Sequence, residues 1–224
     1  MVPRILIDTA KIPGGGELRL LKRGDEFSIM LGANELMNSR LSGSEQALAT
    51  LGCEGLANAS APAVLIGGLG MGFTLRAALA LLPAGARVTV SELVPEIVGW
   101  ARGPMAELFA GSLDEPRVTI AEGDVAELIA ARASTWDAIL LDVDNGPDGL
   151  SRKENDRLYG EAGLAEARAA LRPGGALAVW SSAPDATFTR RLARTDFRVE
   201  EHAVHARAGR RGARHVIWVA RRPR

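Results

Sequence analysis

The spacing of apolar residues along the chain changes near residue 60. Before that point they alternate in short runs at 5–7, 17–21 and 26–30, and glycine-rich turns separate the runs. A period of two is typical of strands that bury one face. The pattern therefore predicts a small antiparallel β-meander, followed by a helix over 44–56 with Ser44 as its N-cap.

After residue 60, short apolar runs alternate with segments of helical periodicity. The predicted strands are 63–66, 87–91, 117–121, 136–141 and 176–180, and the predicted helices are 73–82, 95–109, 125–133, 155–171 and 185–194. Two last β segments, 197–206 and 215–220, predict an antiparallel hairpin.

This alternation predicts an α/β fold whose mostly parallel sheet is covered by helices on both faces. Seven strands ending in a hairpin are the arrangement expected of the Rossmann-like class I methyltransferase fold. We expect two units, a small β-meander plus helix over residues 1–60 and a nucleoside-binding domain over residues 61–224.

Composition excludes several classes of protein. The 27 basic and 27 acidic residues cancel, which argues against a general binder of nucleic acids or membrane surfaces. No apolar stretch approaches the ~20 residues that span a bilayer. The single cysteine, Cys53, has no partner in the chain for a disulfide and fits a reducing compartment, so a soluble cytoplasmic protein is expected.

A glycine-dense turn follows the strand at 63–66. It contains Gly67, Gly68, Gly70 and Gly72, and it opens a helix. Glycine permits backbone angles that other residues avoid and lets a ligand approach the main chain closely. The turn therefore predicts a site for a nucleoside or nucleotide.

Two acids follow the next two strands. Glu92 lies at the end of the second strand, where its carboxylate can accept both hydroxyl hydrogens of a ribose. Asp124 follows the third strand, where it either contacts the adenine amine or caps the next helix. We favour the adenine contact.

The glycine spacing distinguishes two nucleotide classes. Dinucleotide sites require G-x-G-x-x-G, whereas Gly68, Gly70 and Gly72 give G-x-G-x-G. The latter spacing is usual in S-adenosylmethionine enzymes, so we prefer that nucleoside to NAD.

Two carboxylates follow the apolar residues of the fourth strand. Asp142 and Asp144 are two positions apart, hence on one side if the chain stays extended. Ligands of open α/β sheets bind beyond the carboxyl ends of the strands, so both acids are expected beside the reactive end of the nucleoside. They could hold an ammonium group, deprotonate an amine or bind a divalent cation.

At this point the chain resembles the spermidine synthase (polyamine aminopropyltransferase) family. The resemblance covers nearly all of the chain and rests on the N-terminal β region, Val-Leu-Ile-Gly-Gly at 64–68, Glu92, Gly123-Asp124, the Asp-x-Ile-x-x-Asp strand ending at Asp142, Leu158-Tyr159, and Leu-Arg-Pro-Gly-Gly at 171–175.

The resemblance implies a role for each matching residue. Asp142 would be the catalytic acceptor of the amine's proton, Glu92 and Asp124 would bind ribose and adenine, and Tyr159 would orient the amine. Asp144 and Glu45 are further candidates for substrate binding. The implied donor is decarboxylated S-adenosylmethionine, the acceptor is a small amine, and the assembly is a homodimer formed through the N-terminal β region.

The chain departs from the family's pattern in the glycine loop. The family has an aspartate there that helps hold the donor's aminopropyl amine, whereas Leu69-Gly70-Met71 supplies no acid. Two other functions stay open. One is a methyltransferase that uses intact S-adenosylmethionine, with possible metal assistance from Asp142, Asp144 and Asn145. The other is a nucleoside-binding protein without turnover.

Two further clusters have simpler interpretations. His202, His205 and His215 lie on predicted hairpin strands, and His202 and His205 point to opposite faces, so no metal site is expected. Arginines crowd the C-terminal segment, but no aromatic residues interleave with them to stack bases. A solvated basic tail is the better interpretation.

Overall fold

The N-terminal part of the chain forms a sheet of its own. The structure is a computed structural model that describes residues 2–143, 146–147, 155–207 and 211–224. Four antiparallel strands pair in the order β1-β2-β3-β4, namely β1 (Ile5–Lys11), β2 (Glu17–Arg23), β3 (Glu26–Leu31) and β4 (Asn34–Asn38). The meander expected from the sequence is present, with β4 as an added strand.

The helix after this sheet, α1, spans Gly43–Gly52. The expectation that Ser44 caps it was wrong, because the N-cap is Ser42 and its side chain makes no capping bond. Ser44 lies in the first turn of the helix, and its hydroxyl group donates to the carboxylate of Glu45 instead.

A seven-stranded sheet forms the rest of the molecule. Its order is β10-β11-β9-β8-β5-β6-β7, and β11 alone runs opposite to the other six strands. This order confirms the predicted Rossmann-like class I methyltransferase fold. The strands are β5 (Ala63–Gly67), β6 (Arg87–Glu92), β7 (Val118–Glu122), β8 (Trp136–Leu141), β9 (Leu171–Ser181), β10 (Arg198–Arg207) and β11 (Arg211–Arg221).

The helices differ from the predicted ones mainly at glycines. Gly103 ends one predicted helix early, and Gly160 divides another. Strand β9 begins at Leu171, five residues before the expected start, because the Pro-Gly-Gly segment continues the strand across a register shift. The helices are α2 (Phe73–Leu81), α3 (Pro95–Arg102), α4 (Ala106–Phe109), α5 (Val125–Ala130), α6 (Asn155–Tyr159), α7 (Glu161–Ala170) and α8 (Ala186–Ala193).

Two apolar clusters cover the faces of the large sheet. One contains residues of α5, α7 and α8. The other joins α1, α2 and α3 to the inner side of the N-terminal sheet, where Leu20 and Ile29 are fully buried. The indole N–H of Trp100 on α3 also donates to the Asp8 carboxylate on β1, at 2.7 Å. The small sheet is thus packed against the helices on this face of the large one.

The order of the strands produces a crevice beside β5. The chain runs from β5 to β6 and β7 on one side, then returns to β8 on the other side of β5. Such a reversal is where open α/β sheets bind their ligands. No helix in the described part of the chain is long and apolar enough to cross a membrane.

Candidate active site

The glycine turn after β5 has a backbone that only glycine adopts without strain. Gly68, Gly70 and Gly72 have φ angles of +91°, +50° and +74°. A Cβ atom on Gly68 would lie 2.3 Å from the carbonyl oxygen of Asp142, and one on Gly72 would lie 2.4 Å from the Phe109 ring. The turn therefore packs directly against the end of β8 on one side and against α4 on the other.

Glu92 holds this turn in place from the end of β6. Its two carboxylate oxygens accept hydrogen bonds from the backbone N–H groups of Leu69 and Val94, each at 2.9 Å. Burial raises the pKa of Glu92, and these backbone donors oppose the rise. Each oxygen can accept a second hydrogen, so the carboxylate can bind the turn and a ligand's hydroxyl pair together.

Asp124 caps the helix that follows β7. One oxygen of its carboxylate accepts the backbone N–H of Ala126 at 2.9 Å. The residue also lines the crevice. The two roles weighed from the sequence are thus compatible, because the capping bond uses only one carboxylate oxygen. The adenine contact itself stays a prediction.

A large cleft, which we call the main cleft, opens at the crevice. It encloses about 870 Å³ of empty space, open solvent at its mouth included. Five of the predicted site residues line it, and the N-terminal sheet contributes apolar side chains opposite them. The predicted residues are Gly68, Gly70, Glu92, Asp124 and Asp142, and the apolar ones include Ile12, Leu18, Ile29, Leu36 and Met37.

Asp142 lines the main cleft directly after the end of β8. The hydroxyl group of Thr74, on the first turn of α2, donates to its Oδ2 atom at 2.6 Å. Burial, together with the negative charge of Glu45, raises the pKa of Asp142 to about 7. The Thr74 bond acts in the opposite direction. Asp142 is therefore a carboxylate with the basicity of a histidine.

A second, smaller pocket adjoins the first, and we call it the side pocket. Asp142 lines both, and so do Leu36, Met37 and Gly70. The side pocket adds one acid, Glu45, and apolar and aromatic walls formed by Leu69, Met71, Phe73 and Trp180. Burial also raises the pKa of Glu45. Two carboxyl groups thus share an apolar pocket beside the main cleft.

Other residues singled out from the sequence lie elsewhere. Gly67 and Gly72 line neither pocket; they permit the close packing of the turn. Tyr159 is buried in the core on the other face of the sheet, with its ring edge-on to Phe188. The structure does not bring it to either pocket. Asp144 and Asn145 lie outside the described residues.

Thr74, Trp180 and Met37 are among the residues of the site that were not identified from the sequence. Thr74 carries a signal, since it is a polar residue on an apolar helix directly after the glycine turn. Trp180 lies near the carboxyl end of β9, where the general rule for α/β sheets places ligand contacts. Met37 carries none, because only the folding of the N-terminal sheet brings its sulfur next to Gly70.

Two of the three residues considered for metal assistance, Asp144 and Asn145, lie outside the described part of the chain. No group of three or more His, Cys, Asp or Glu residues within that described part could hold an ion. His202 is paired with Glu200, and His215 is bonded to Ser44. The acids Glu45 and Asp142 line an apolar pocket, and they belong to no larger metal-binding group among the described residues.

Fold and cleft together define a protein of the class I methyltransferase-like α/β class, with a crevice lined by acids beyond the ends of its parallel strands. No protein-family model matches the chain. Over 132 residues, 58% of this chain, it is 33% identical to the polyamine aminopropyltransferases of two Mycobacterium tuberculosis strains and of Mycobacterium bovis. The matched region spans about a quarter of the length of those relatives, 24%.

Solved spermidine synthases have the same fold. The enzyme from Thermotoga maritima aligns over 96% of this chain and 72% of its own, with a TM-score of 0.76 and 18% identity. A spermidine synthase bound to the transition-state analogue AdoDATO gives a TM-score of 0.75 at 17% identity, over the same shares of the two chains. A probable spermidine synthase from Corynebacterium glutamicum gives 0.67 at 14% identity, over 97% of this chain and 80% of its own. The resemblance inferred from the sequence is confirmed.

The close packing of the glycine turn can be tested with two alanine substitutions. Gly68→Ala would force the Asp142 carbonyl away and distort the crevice. Gly55→Ala is the matched control, because Gly55 has a similar φ of +82° but open space around it. We expect Gly55→Ala to cost about 1 kcal/mol of stability and Gly68→Ala to cost more and to abolish nucleoside binding. Thermal unfolding and calorimetry measure both, and equal effects would contradict the packing.

Glu92 can be tested by nucleoside affinity. We expect Glu92→Ala to lower the affinities for S-adenosylmethionine, its decarboxylated form and methylthioadenosine equally, by roughly 10- to 100-fold. All three ligands contain the ribose whose hydroxyl groups would lose their bonds to the carboxylate. Exposed Glu96, on α3, provides the control as Glu96→Ala. Unchanged affinities in calorimetry would remove Glu92 from the site.

Proposed function

We propose that this protein transfers an aminopropyl group from decarboxylated S-adenosylmethionine to a small amine. The observation that carries the proposal is the position of Asp142, a carboxyl group with a pKa near 7 that lines both the main cleft and the side pocket. A basic carboxylate between two pockets suits a reaction that joins two substrates and removes a proton. The similarity to polyamine aminopropyltransferases supports the same activity.

The charges around the main cleft favour the decarboxylated donor. Among the described residues that line it, the ionisable ones are all acids, Glu92, Asp124 and Asp142. The carboxylate of intact S-adenosylmethionine would lose part of its hydration next to these acids, and no described cation lines the cleft to pair with it, so its binding is disfavoured. A donor tail that ends in an ammonium group is attracted by the same charges. This supports aminopropyl transfer over methyl transfer.

The chemistry requires a neutral amine beside the sulfonium carbon. A lone pair on the amine nitrogen forms the new N–C bond, while the C–S bond breaks and its electron pair stays on sulfur. The nitrogen must lose a proton, and Asp142 is the group with a suitable pKa to take it. The sulfur leaves uncharged, so no general acid is needed, and most of the catalysis is positioning.

The side pocket suits the acceptor amine. Glu45 and Asp142 attract a cationic head, and the apolar walls accommodate a carbon chain. Trp180 and Phe73 add aromatic surface, which also favours cations. Asp144 stays a predicted contact of this amine, whereas Tyr159 lines neither pocket and is not assigned to it.

Association into a homodimer is the assembly we propose. The edge strand β1 exposes three apolar side chains in succession, Ile5, Leu6 and Ile7, at 57%, 54% and 38%. An edge strand of this kind is prone to pair with another chain, which supports a second copy as the partner.

The role of Asp142 can be tested by separating binding from turnover. Asp142→Asn keeps the shape of the side chain but removes the base. We expect it to bind methylthioadenosine like the wild type and to lose at least about 100-fold in transfer rate, a typical contribution of general-base catalysis. Product formation with decarboxylated and intact S-adenosylmethionine, each with 1,4-diaminobutane, measures this. Methylation from the intact form, or full activity in Asp142→Asn, contradicts the proposal.

The dependence of rate on pH follows from the raised pKa. Only ionised Asp142 can take a proton, so the transfer rate should rise with pH through about 7. Glu45→Gln removes a negative charge that raises this pKa, so the acid limb should move to lower pH in that variant. A profile of kcat against pH measures both, and a limb that stays in place in Glu45→Gln would exclude the charge coupling.

A further inference from the structure

A chain of hydrogen bonds reaches Glu45 from the C-terminal hairpin. The Nδ1 atom of His215, on β11, lies 2.9 Å from the Oγ atom of Ser44. Ser44 Oγ in turn donates to Glu45 Oε2 at 2.7 Å. The three residues thus form one series from a partly buried imidazole to a carboxylate of the side pocket.

The direction of these bonds follows from the number of hydrogens when Glu45 is ionised. A serine hydroxyl group has one hydrogen to donate, and Ser44 gives it to the Glu45 carboxylate. Its oxygen then accepts from His215, which places the proton of the neutral imidazole on Nδ1. Burial lowers the pKa of His215, which favours the neutral ring. Ser44 itself is only 1% exposed, so water does not replace the imidazole as its donor.

Packing ties this imidazole to the wall of the side pocket. The His215 ring lies edge-on to the Trp180 ring, with 4.9 Å between the ring centroids. Strand β11 brings the two together, because it pairs directly with β9, where Ile217 is opposite Trp180. One residue therefore contacts the aromatic wall of the pocket and, through Ser44, its acid.

We infer that His215 is a positioning residue: through Ser44 it orients the Glu45 carboxylate that binds the amine acceptor. A carboxylate beside an apolar wall has several rotamers, and a bond to one oxygen selects among them. The other oxygen, Oε1, is then directed to the ligand of the side pocket. The inference rests on the proposed function only in taking that ligand to be an amine.

The tautomer of His215 tests the bond series without any substrate. The chain has three histidines, so long-range ¹H–¹⁵N spectra of the imidazoles resolve each ring, and the signals that disappear in His215→Asn assign His215. We expect the Nδ1–H form in the wild type and a shift towards Nε2–H in Ser44→Ala. An Nε2–H ring in the wild type, or the same tautomer in both proteins, overturns the inference.

Amine affinity tests the consequence for the side pocket. Calorimetry with 1,4-diaminobutane is done on protein saturated with methylthioadenosine. We expect about 10-fold weaker amine binding in His215→Leu, the loss typical of a bond that supports a charged group, with methylthioadenosine affinity unchanged. His215→Asn, which keeps an N–H donor near the Nδ1 position, should restore most of it. His202→Leu, at a hairpin histidine without this bond, is the control and should change neither affinity.

A double variant separates the bond series from general support of the fold. Because His215 and Ser44 act on the same carboxylate, Ser44→Ala with His215→Leu should weaken amine binding no more than Ser44→Ala alone. Additive losses, unchanged amine affinity in both single variants, or a wild type that binds no amine would each overturn the inference. Failure of the proposed transfer reaction is distinct, since it would leave the tautomer and the amine affinities as expected.

Discussion

The close contact between the glycine turn and the end of β8 is the constraint on which the site depends. Gly68 lies against the carbonyl group of Asp142, and the Asp142 N–H donates to the Gly67 carbonyl oxygen at 2.9 Å. Because β5 and β8 are neighbours at the point where the strand order reverses, this contact brings a nucleoside-type turn next to a carboxylate. A larger residue at Gly68 would separate the two parts of the site.

The same crevice concentrates acids in apolar surroundings, and each acid is stabilised in a different way. Glu92 has backbone N–H groups on both oxygens, which offset part of the cost of burial. Asp142 has one hydroxyl donor, and burial together with the nearby Glu45 raises its pKa to about 7. The result is a carboxylate suited to hold a sugar beside one suited to accept a proton.

Local patterns in the sequence were sufficient to predict the fold and the side of the main cleft that is formed by the glycine turn and the acids. A glycine turn and acids that follow successive parallel strands meet at one edge of the sheet, so Gly68, Glu92 and Asp142 could be placed together without a structure. The other residues around the site could not be predicted, because they come from distant parts of the chain. Met37 arrives with the N-terminal sheet, and His215 meets Ser44 across 171 positions of sequence.

We propose that the crevice holds an adenosyl group with its sulfur towards Asp142. A crystal structure of the protein with methylthioadenosine is the decisive measurement. We expect the ribose hydroxyls to bind the carboxylate of Glu92 and the ligand's sulfur to lie in the part of the main cleft that adjoins the side pocket. A ribose bound away from Glu92, or a sulfur directed away from Asp142, would contradict it.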